Sequence, residues 1–598
     1  MTQQIRLSQY VVTYGPGALL GGRQGPRVIP QPDIGMFSQR SGLHAPDYEI
    51  SDQRMSKGLL NSARIFRLPS NAELQIPQIA SAYRTRPFPD WRLCLNRTLH
   101  TGDFSVLFAR TACPVCNVSD PRTQEGIRFI TACSEGHMDD VDWIQLVHSI
   151  GASCQHTGWL QWQGGGSAIG DIEVICPRCK TRQNFGNAYG QSWPCTGRYP
   201  EREQLNSKPV RLSCSRPSRI IQRQASNLRI PDLKTLFAVQ PRHTELHNLL
   251  ETTPIYIALA ASGGASSIVQ LRTMLDNLVQ MGVLAGSIRE GIIRYPWTEI
   301  EKAIKDILTP ISSTYHDLIL EEFMGLINGS INGVPPVRGP APISPIVLEI
   351  NPNLTKKYSG PNGGIIRVVP VLRLRTVTVQ KGYRREVDTS NVSTLVDIGF
   401  HDPTSPGQLW YPGVEFLGEG IFIMPDADEG WHHPLLGDAA QSWKEASKMP
   451  SSYPDYVFPD RKHEELDPVF VWWHTLSHLL IRRISIESGY SIASIRERVY
   501  FWHDGSRAKG GILLYATQPG SEGTLGGLVA LVPFLQETIA SCFQIATSCS
   551  ADPLCHDTRF LLGKYNGAAC YACLLISETS CEHRNMWLDR HVIGESPL

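Results

Sequence analysis

The cysteines of this chain are confined to two short regions. Nine of the fifteen lie between Cys94 and Cys214, six lie between Cys542 and Cys581, and none occurs in the long stretch between the two groups. Cysteines that serve only as small buried apolar side chains would be scattered along the chain. Because disulfides are rare in a reducing compartment, clustered cysteines indicate metal ligation. The distribution therefore predicts metal-binding modules near both ends of the chain.

Three groups of residues have spacings typical of structural zinc, which takes four Cys or His ligands in a tetrahedron. The predicted ligands of the three groups are Cys113, Cys116, Cys133 and His137; Cys176, Cys179, Cys195 and Cys214; and Cys549, Cys555, Cys570 and Cys573. His148, Cys154 and His156 remain alternatives for the fourth ligand of the first group, and Cys581 and His583 lie close to the third group. Two to three Zn²⁺ ions are expected. Their role is predicted to be structural, since four thiolate ligands leave no open position for catalysis.

The composition is that of an ordinary folded protein. Lys plus Arg and Asp plus Glu both number 56, so no overall electrostatic field favours a nucleic-acid or membrane partner, and any basic surface must be local. The first residues lack a signal-peptide pattern, and no apolar run approaches the roughly 18 residues of a membrane-spanning helix. We therefore expect a cytoplasmic protein without membrane contact.

A chain of 598 residues is longer than one hydrophobic core usually organises. Four regions are predicted: a β-rich module at 1–110, a cysteine-rich zinc module at 111–235, a helical segment with a Pro/Gly-rich linker at 236–345, and a C-terminal domain at 346–598. The expected fold class is α+β and multidomain. It has zinc-ribbon-like modules in the N-terminal half, a helical middle, and a mixed α/β C-terminal domain closed by a zinc site.

Local patterns support this division. SSIVQLRTMLDNLVQMGVL has helical spacing of apolar residues, and TEIEKAIKDIL begins with a predicted capping box of Thr298 and Glu301. GIIRVVPVLRLRTVTVQKGYRR alternates like a half-exposed strand. It carries the best local basic cluster, which is predicted to contact nucleic acid or a partner and could equally be a solvated strand face. The cluster consists of Arg367, Arg373, Arg375, Lys381, Arg384 and Arg385.

Other motifs are less specific. HTLSH places His474 and His478 on one helix face but lacks the glutamate of HExxH zinc proteases, so the two histidines are interpreted as core or interface residues. The loop Gly520–Leu528 could bind phosphate or form a tight strand-to-helix connection. Asp455, Asp460 and Glu465 are carboxylates of unspecific spacing. No catalytic constellation emerges, so the sequence favours a protein that is not an enzyme.

Taken together, the motifs resemble the DrmB family of DISARM, a bacterial antiphage defence system, and the region from about 350 to 598 resembles the DUF1998 domain. The resemblance extends from residue 6 to residue 594 and rests on RLSQYVVTYGPGALL, FITACSEGHMDDVDW, IQRQASNLRIPDL, HTLSHLLIRRISIESGYSIASIRERVY, GSEGTLGGL, CSADPLC, AACYACLLISETSCEHRN and WLDRHVIG.

The resemblance implies a partner rather than a reaction. Members of this family act with a large SNF2-like helicase, DrmA, in a complex that engages DNA. We therefore expect a non-catalytic accessory subunit that binds a DrmA-like helicase and reaches DNA through the complex. In this reading the third zinc group fixes the end of the C-terminal domain, where GTLGGL and HTLSH could form a face for the helicase. The alternatives are a metal-dependent nuclease with a dispersed active site and a pure scaffold without DNA contact.

Overall fold

A computed structural model confirms a mixed α/β, multidomain fold with a helical middle segment. It describes residues 4–595, except 23–24, 38–42, 78–79, 121, 149–153, 156–157, 165–167, 205–206, 239–244, 310, 312–313, 339–345, 388–392, 405, 428–430, 433–434, 436, 447–466, 505–506, 518–525 and 561–564. The alternative ligand His156, most of the loop Gly520–Leu528, and the carboxylates Asp455, Asp460 and Glu465 lie outside the described residues.

The α-helices are α1 (Leu7–Val12), α2 (Pro32–Gly35), α3 (Trp143–His148), α4 (Phe185–Tyr189), α5 (Glu245–Leu250), α6 (Thr253–Ser262), α7 (Ile268–Gln280), α8 (Gly286–Ile293), α9 (Trp297–Leu308), α10 (Tyr315–Asn332), α11 (Asp438–Ala446), α12 (Pro468–Ser488) and α13 (Leu535–Ala546).

The strands are β1 (Leu19–Gly22), β2 (Gly25–Val28), β3 (Arg64–Phe66), β4 (Arg86–Pro87), β5 (Arg92–Cys94), β6 (Ser105–Phe108), β7 (Gln124–Gly126), β8 (Phe129–Cys133), β9 (Met138–Asp140), β10 (Trp159–Gln163), β11 (Glu173–Ile175), β12 (Arg182–Asn184), β13 (Ser192–Pro194), β14 (Pro217–Gln222), β15 (Ile230–Phe237), β16 (Val334–Arg338), β17 (Ile346–Ile350), β18 (Lys356–Ser359), β19 (Ile365–Arg384), β20 (Val396–Asp397), β21 (Phe400–His401), β22 (Leu409–Pro425), β23 (Trp431–His432), β24 (Ile495–Asp504) and β25 (Arg507–Thr517).

The chain divides into two compact units, each built from separated stretches of sequence. Unit one comprises Met1–Ser51, Ala63–Lys234 and Thr378–Val414, and unit two comprises Asp52–Ser62, Thr235–Val377 and Glu415–Leu598. The long strands β19 and β22 each begin in one unit and end in the other. A division of the sequence into consecutive segments therefore does not coincide with these units.

Unit one contains small antiparallel sheets. Their strand orders are β1-β2-β4, β12-β11-β10-β6-β5-β7 and β13-β14-β8-β9. The six-stranded sheet packs on a core in which Trp143, Trp162, Phe129 and Phe185 contact one another, with Phe129 and Phe185 at 4.5 Å between ring centroids. Most strands have only three to five residues. Such short strands bury little apolar surface, so cross-links between them add stability that the core alone lacks.

Unit two is organised around α12, which packs against β24, β25 and α13. The helix begins where the Asp467 carboxylate accepts the Val469 N–H at 2.8 Å, and it ends before Gly489, whose φ of 74° only glycine adopts readily. Its residues from Pro468 to Ile481 are all buried. A stretch that is buried on every side is covered by neighbouring elements on every side, so this part of α12 is the central element of the core.

The helical middle segment has its own core within unit two. Helices α5 to α9 bury Leu250, Leu259, Leu271 and Ile300 against one another. The helices predicted from the apolar spacing correspond to α7 and α9. The predicted capping box is wrong, because α9 already begins at Trp297, and its N-cap Pro296 makes no side-chain cap bond.

One stretch of the described residues, Val529–Ala546, is long and apolar enough to cross a membrane by length and composition. The sequence interpretation overlooked it. It combines a 3₁₀ turn, Val529–Phe534, with helix α13. Leu535, Ile539 and Cys542 belong to the core around α12, and this packing accounts for part of the apolar character.

Candidate metal centres

Among the residues that the structure describes, four clusters of cysteine and histidine side chains each bring four donor atoms within 4.8 Å of one another. We call them tetrads one to four, and the first three belong to unit one and the fourth to unit two. Their members are Cys94, His100, Cys113 and Cys116 in tetrad one; Cys133, His137, Cys195 and Cys214 in tetrad two; His148, Cys154, Cys176 and Cys179 in tetrad three; and Cys549, Cys555, Cys570 and Cys573 in tetrad four. Tetrad three lies, in sequence, between the two halves of tetrad two.

The separations within the tetrads fit a tetrahedral ion. A Zn–S bond of about 2.3 Å and a Zn–N bond of about 2.0 Å place two sulfurs about 3.8 Å apart and a sulfur and a nitrogen about 3.5 Å apart. Six pairs of cysteine sulfurs within the tetrads are separated by 3.5 to 4.0 Å. The sulfur–nitrogen pairs are separated by 3.4 to 3.6 Å. All fifteen cysteines are free thiols, so these are donor sets rather than disulfides.

The CPVC and CPRC segments form the same tight turn. In each turn the residue after the second cysteine is left-handed, with φ of 55° at Asn117 and 61° at Lys180. The N–H of that residue donates to the carbonyl of the first cysteine, Cys113 or Cys176, at 2.8 and 3.0 Å. The turn directs both sulfurs of a pair to the same side, and a second pair of donors completes each tetrad.

Backbone carbonyls orient two of the histidines. The Nδ1 of His100 lies 2.9 Å from the Phe104 carbonyl oxygen, and the Nδ1 of His148 lies 2.8 Å from the Ile144 carbonyl oxygen. Each Nε2 then lies beside a cysteine Sγ of its tetrad, at 3.6 and 3.5 Å. A metal-binding histidine characteristically donates its other ring N–H in this way, which fixes the tautomer and the ring plane.

One cysteine of each tetrad has a lowered pKa, and these are Cys116, Cys133, Cys179 and Cys570. Hydrogen bonds with Cys195 and His137 lower the pKa of Cys133 to about 4 against the effect of burial. The hydrogen bonds of Thr181 lower the pKa of Cys179 to about 6. For Cys116 and Cys570 burial acts in the opposite direction, and hydrogen bonds from backbone N–H groups and neighbouring thiols outweigh it. Each tetrad thus contains a thiol that is readily converted to the metal-binding thiolate.

The structure regroups the ligands predicted in unit one. Cys113 and Cys116 lie with Cys94 and His100, not with Cys133 and His137 as predicted. The reason is strand pairing: β5 and β6 form one antiparallel pair, and Cys94 at its end lies 3.7 Å, sulfur to sulfur, from Cys116. Sequence reasoning missed Cys94 and His100 because neither belongs to a CxxC pair.

The second predicted group separates in the same way. Cys176 and Cys179 lie with His148 and Cys154, which the sequence offered only as alternatives for the first group. Cys195 and Cys214 lie with Cys133 and His137 instead. In the four-stranded sheet, Cys133 pairs with Ser218 of β14, and β13 pairs with the same strand. Cys195 directly follows β13, and Cys214 lies shortly before β14. Both cysteines therefore lie close to Cys133 at the end of β8.

The third predicted group is one cluster in the structure. Tetrad four contains the same four cysteines that the sequence selected, with Cys549 and Cys570 at 3.5 Å and Cys555 and Cys573 at 3.7 Å. Its two nearby residues lie elsewhere: Cys581 contacts His474, and the His583 ring packs on Phe470.

The predicted basic face on β19 does not form. Arg375 is buried and pairs with Asp52 at 3.3 Å and with Glu415 at 2.7 Å. Arg385, just after the strand, is also buried and donates to the carbonyls of Gly136 and Leu228. Charges that are buried and fully partnered cannot bind phosphate at the surface, so both residues are corrections to the predicted contact site.

The other four basic residues are less buried. Arg367 pairs with Asp426, and Arg384 donates to the carbonyl of Ser393. Arg373 and Lys381 are partly exposed, and Arg373 donates to the carbonyl of Leu372. Four of the six predicted residues, Arg367, Arg375, Arg384 and Arg385, therefore have internal partners that the alternating sequence pattern could not reveal.

The HTLSH segment does not form a surface for a partner, because His474, Thr475, Leu476, Ser477 and His478 are all wholly buried. The hypothesis of a helicase-binding face at this motif is therefore wrong. The interpretation as core histidines agrees with the burial.

Parts of the chain match known protein families, and nearly all of it is similar to a known protein. Residues 6–230 match a domain of unknown function, DUF8724, and residues 476–574 match the MrfA Zn-binding domain, which contains all of tetrad four. The DISARM protein DrmB of Bacillus paralicheniformis is 27% identical over 583 residues, which span 91% of this chain and 93% of that protein. The crystal structure of the DUF1998 helicase MrfA bound to DNA aligns over 34% of this chain and 20% of the helicase, at 11% identity and a TM-score of 0.20.

The donor sets and the matched zinc-binding domain identify structural zinc sites in this chain. The four tetrads are one more than the three groups predicted. The resemblance to the DrmB proteins of DISARM systems, expected from scattered motifs, is thus confirmed along nearly the whole chain.

Proposed function

We propose that this chain is a non-catalytic accessory subunit of a DISARM-type antiphage defence complex in the cytoplasm. It binds a SNF2-like helicase of the DrmA type and helps the helicase to engage foreign DNA. The observation that carries the proposal is the similarity to a DISARM protein, DrmB, over 91% of this chain and 93% of that relative. A shared domain alone would align over a small part of either protein.

The chemistry of the tetrads supports an architectural role for their metal. Each tetrad supplies four protein donors, so a tetrahedral zinc has no position left for water or substrate. Zinc bound in this way stabilises the short strands of unit one and the C-terminal segment of unit two. In the proposed complex these modules hold surfaces in place for the helicase.

Arg373 and Lys381 are the candidate contacts with nucleic acid or partner that remain from the predicted cluster. Both are partly exposed, whereas Arg375 and Arg385 are buried. An exposed cation that contacts a phosphate releases a counterion, so its loss lowers the dependence of DNA affinity on salt by about one unit of slope per contact.

The test is to purify this chain with and without the proposed partner, a SNF2-like helicase of the DrmA type. Complex formation, DNA-stimulated ATP hydrolysis and DNA affinity across salt concentrations are then measured. We expect a complex whose ATPase or DNA affinity differs from that of the helicase alone. The double variant Arg373→Gln/Lys381→Gln should weaken DNA binding of the complex and reduce the salt slope. The matched control Lys356→Gln, an exposed lysine of β18, should leave both unchanged.

Absence of a complex would overturn the proposal. If a complex forms and the double substitution leaves its DNA affinity unchanged, the scaffold without DNA contact is favoured. The zero net charge of the chain also favours that alternative. DNA cleavage by the purified chain with Mg²⁺ or Mn²⁺ would favour the metal-dependent nuclease.

A further inference from the structure

A fifth donor cluster lies in the core of unit two, apart from tetrad four. We call it the buried tetrad, and it consists of His474, His478, Glu497 and Cys581. His474 and His478 lie one turn apart on α12, Glu497 lies on β24, and Cys581 lies in the C-terminal segment. The two histidines and the glutamate have 0% exposure, and Cys581 has 5%.

The four donor atoms converge as ligands of one ion would. Glu497 Oε1 lies 2.9 Å from His474 Nε2 and 3.3 Å from His478 Nε2. His474 Nε2 lies 3.3 Å from Cys581 Sγ, and all four donor atoms lie within 4.8 Å of one another. Around a tetrahedral zinc, two nitrogen or oxygen donors are about 3.3 Å apart and a nitrogen and a sulfur about 3.5 Å apart. The observed separations agree within a few tenths of an ångström.

Surrounding groups hold the donors in position. His478 Nδ1 lies 2.9 Å from the Leu574 carbonyl oxygen, so its Nε2 lone pair faces the centre of the cluster. The Ser477 hydroxyl donates to Glu497 Oε2, which leaves Oε1 directed at the histidines. Cys581 Sγ accepts the N–H groups of His583 at 3.3 Å and Asn585 at 3.2 Å. Backbone N–H groups that donate to sulfur stabilise the thiolate form, which is the form that binds metal.

The charge balance also suits a divalent cation. A carboxylate and a thiolate buried in an apolar core are costly unless a positive charge compensates them. A divalent ion bound by one carboxylate, one thiolate and two neutral imidazoles makes the net charge of the site zero. The surroundings are apolar, since Phe470, Leu574 and Trp587 belong to the same core cluster.

We propose that the buried tetrad binds a fifth divalent metal ion, with the mixed nitrogen, oxygen and sulfur donors that suit zinc. The ion joins α12, β24 and the C-terminal segment, and its four protein ligands make it a structural rather than a catalytic site. It also supports tetrad four, because Leu574, the hydrogen-bond partner of His478, directly follows the ligand Cys573.

Metal analysis of the purified full-length chain is the first test. We expect five equivalents of zinc per chain for the wild type and four for Glu497→Gln and for Cys581→Ser. The matched control is Cys542→Ser, because Cys542 is a buried cysteine of the same core that belongs to none of the five clusters. This control should retain all five equivalents. Wild-type zinc content in both ligand variants would overturn the proposal.

Anomalous diffraction from wild-type crystals at the zinc absorption edge provides a second test that needs no variant. A peak between His474, His478, Glu497 and Cys581 is the expected result. Peaks at the four other tetrads with none at this position would overturn the proposal, and the buried tetrad would then be a hydrogen-bonded polar network.

Discussion

Arg375 places a guanidinium inside the protein, where two carboxylates hold it. Its side chain is 3% exposed, as is that of Asp52, and Glu415 reaches it from the more open side at 35% exposure. Arg373 lies two residues before Arg375 on the same strand and is partly exposed. The two arginines therefore have different roles despite their place in one basic pattern.

We predict that Arg375→Gln lowers the free energy of unfolding by about 3–5 kcal/mol, because the buried carboxylate of Asp52 loses the positive charge that compensates it. Urea unfolding followed by tryptophan fluorescence measures the change. The control Arg373→Gln removes a charge from the same strand and should change stability by no more than about 0.5 kcal/mol. Equal losses in the two variants would contradict the assigned difference in burial.

Cys179 differs from the other ligands because it is the exposed member of its tetrad. This exposure makes its sulfur accessible to electrophiles in solution, whereas the other three ligands of tetrad three are more buried. We predict that a small thiol reagent releases the zinc of tetrad three before the others. A chromogenic zinc indicator should show one fast equivalent that is absent in Cys179→Ser. A fast phase that survives this substitution would place the labile zinc elsewhere.

At the scale of elements, the sequence indicated the pieces better than their pairing. The sequence pattern located α7, α9 and α12, because the spacing of apolar residues along a helix can be recognised within a short window of sequence. The CxxC pairs were located for the same reason. Which pair joins which depends on strands β5, β6, β8, β13 and β14, whose three to six residues carry almost no periodic signal. Burial of Arg375 and Arg385 depends likewise on distant partners.

A double substitution distinguishes the two groupings of ligands. We predict that Cys113→Ser combined with Cys133→Ser removes two equivalents of zinc, because the two cysteines belong to tetrads one and two. If they shared one ion, as the sequence spacing suggested, the double variant would lose the same single equivalent as either single variant. Zinc in the folded fraction after gel filtration is the measurement.

At the scale of the whole molecule, metal sites and apolar cores are distributed unequally. None of the five clusters found among the described residues includes a member of α5 to α9, and these helices bury their own apolar side chains. The short sheets of unit one contain three tetrads instead. The two parts of the chain therefore depend on different sources of stability.

Removal of zinc should reveal this difference. We predict that a chelator under mildly denaturing conditions abolishes the hydrogen-exchange protection of residues 94–214 while α7 and α9 remain protected, since binding energy at structural zinc is also folding energy. Hydrogen exchange with mass spectrometry resolves the two regions, and addition of zinc should restore the first. A uniform loss of protection would mean that the helical segment also depends on metal.

The nesting of tetrad three within tetrad two determines the order in which a growing chain can complete its sites. As the ribosome extends the polypeptide, the ligands of tetrad one are available after residue 116 and those of tetrad three after residue 179, but tetrad two must wait for Cys214. A zinc ion bound at tetrad three already cross-links the loop between His137 and Cys195. The loop then loses less conformational entropy when tetrad two closes. A nascent chain with a tetrad three that cannot bind zinc would hold Cys133 and His137 without partners for longer, exposed to oxidation and to the wrong cysteines.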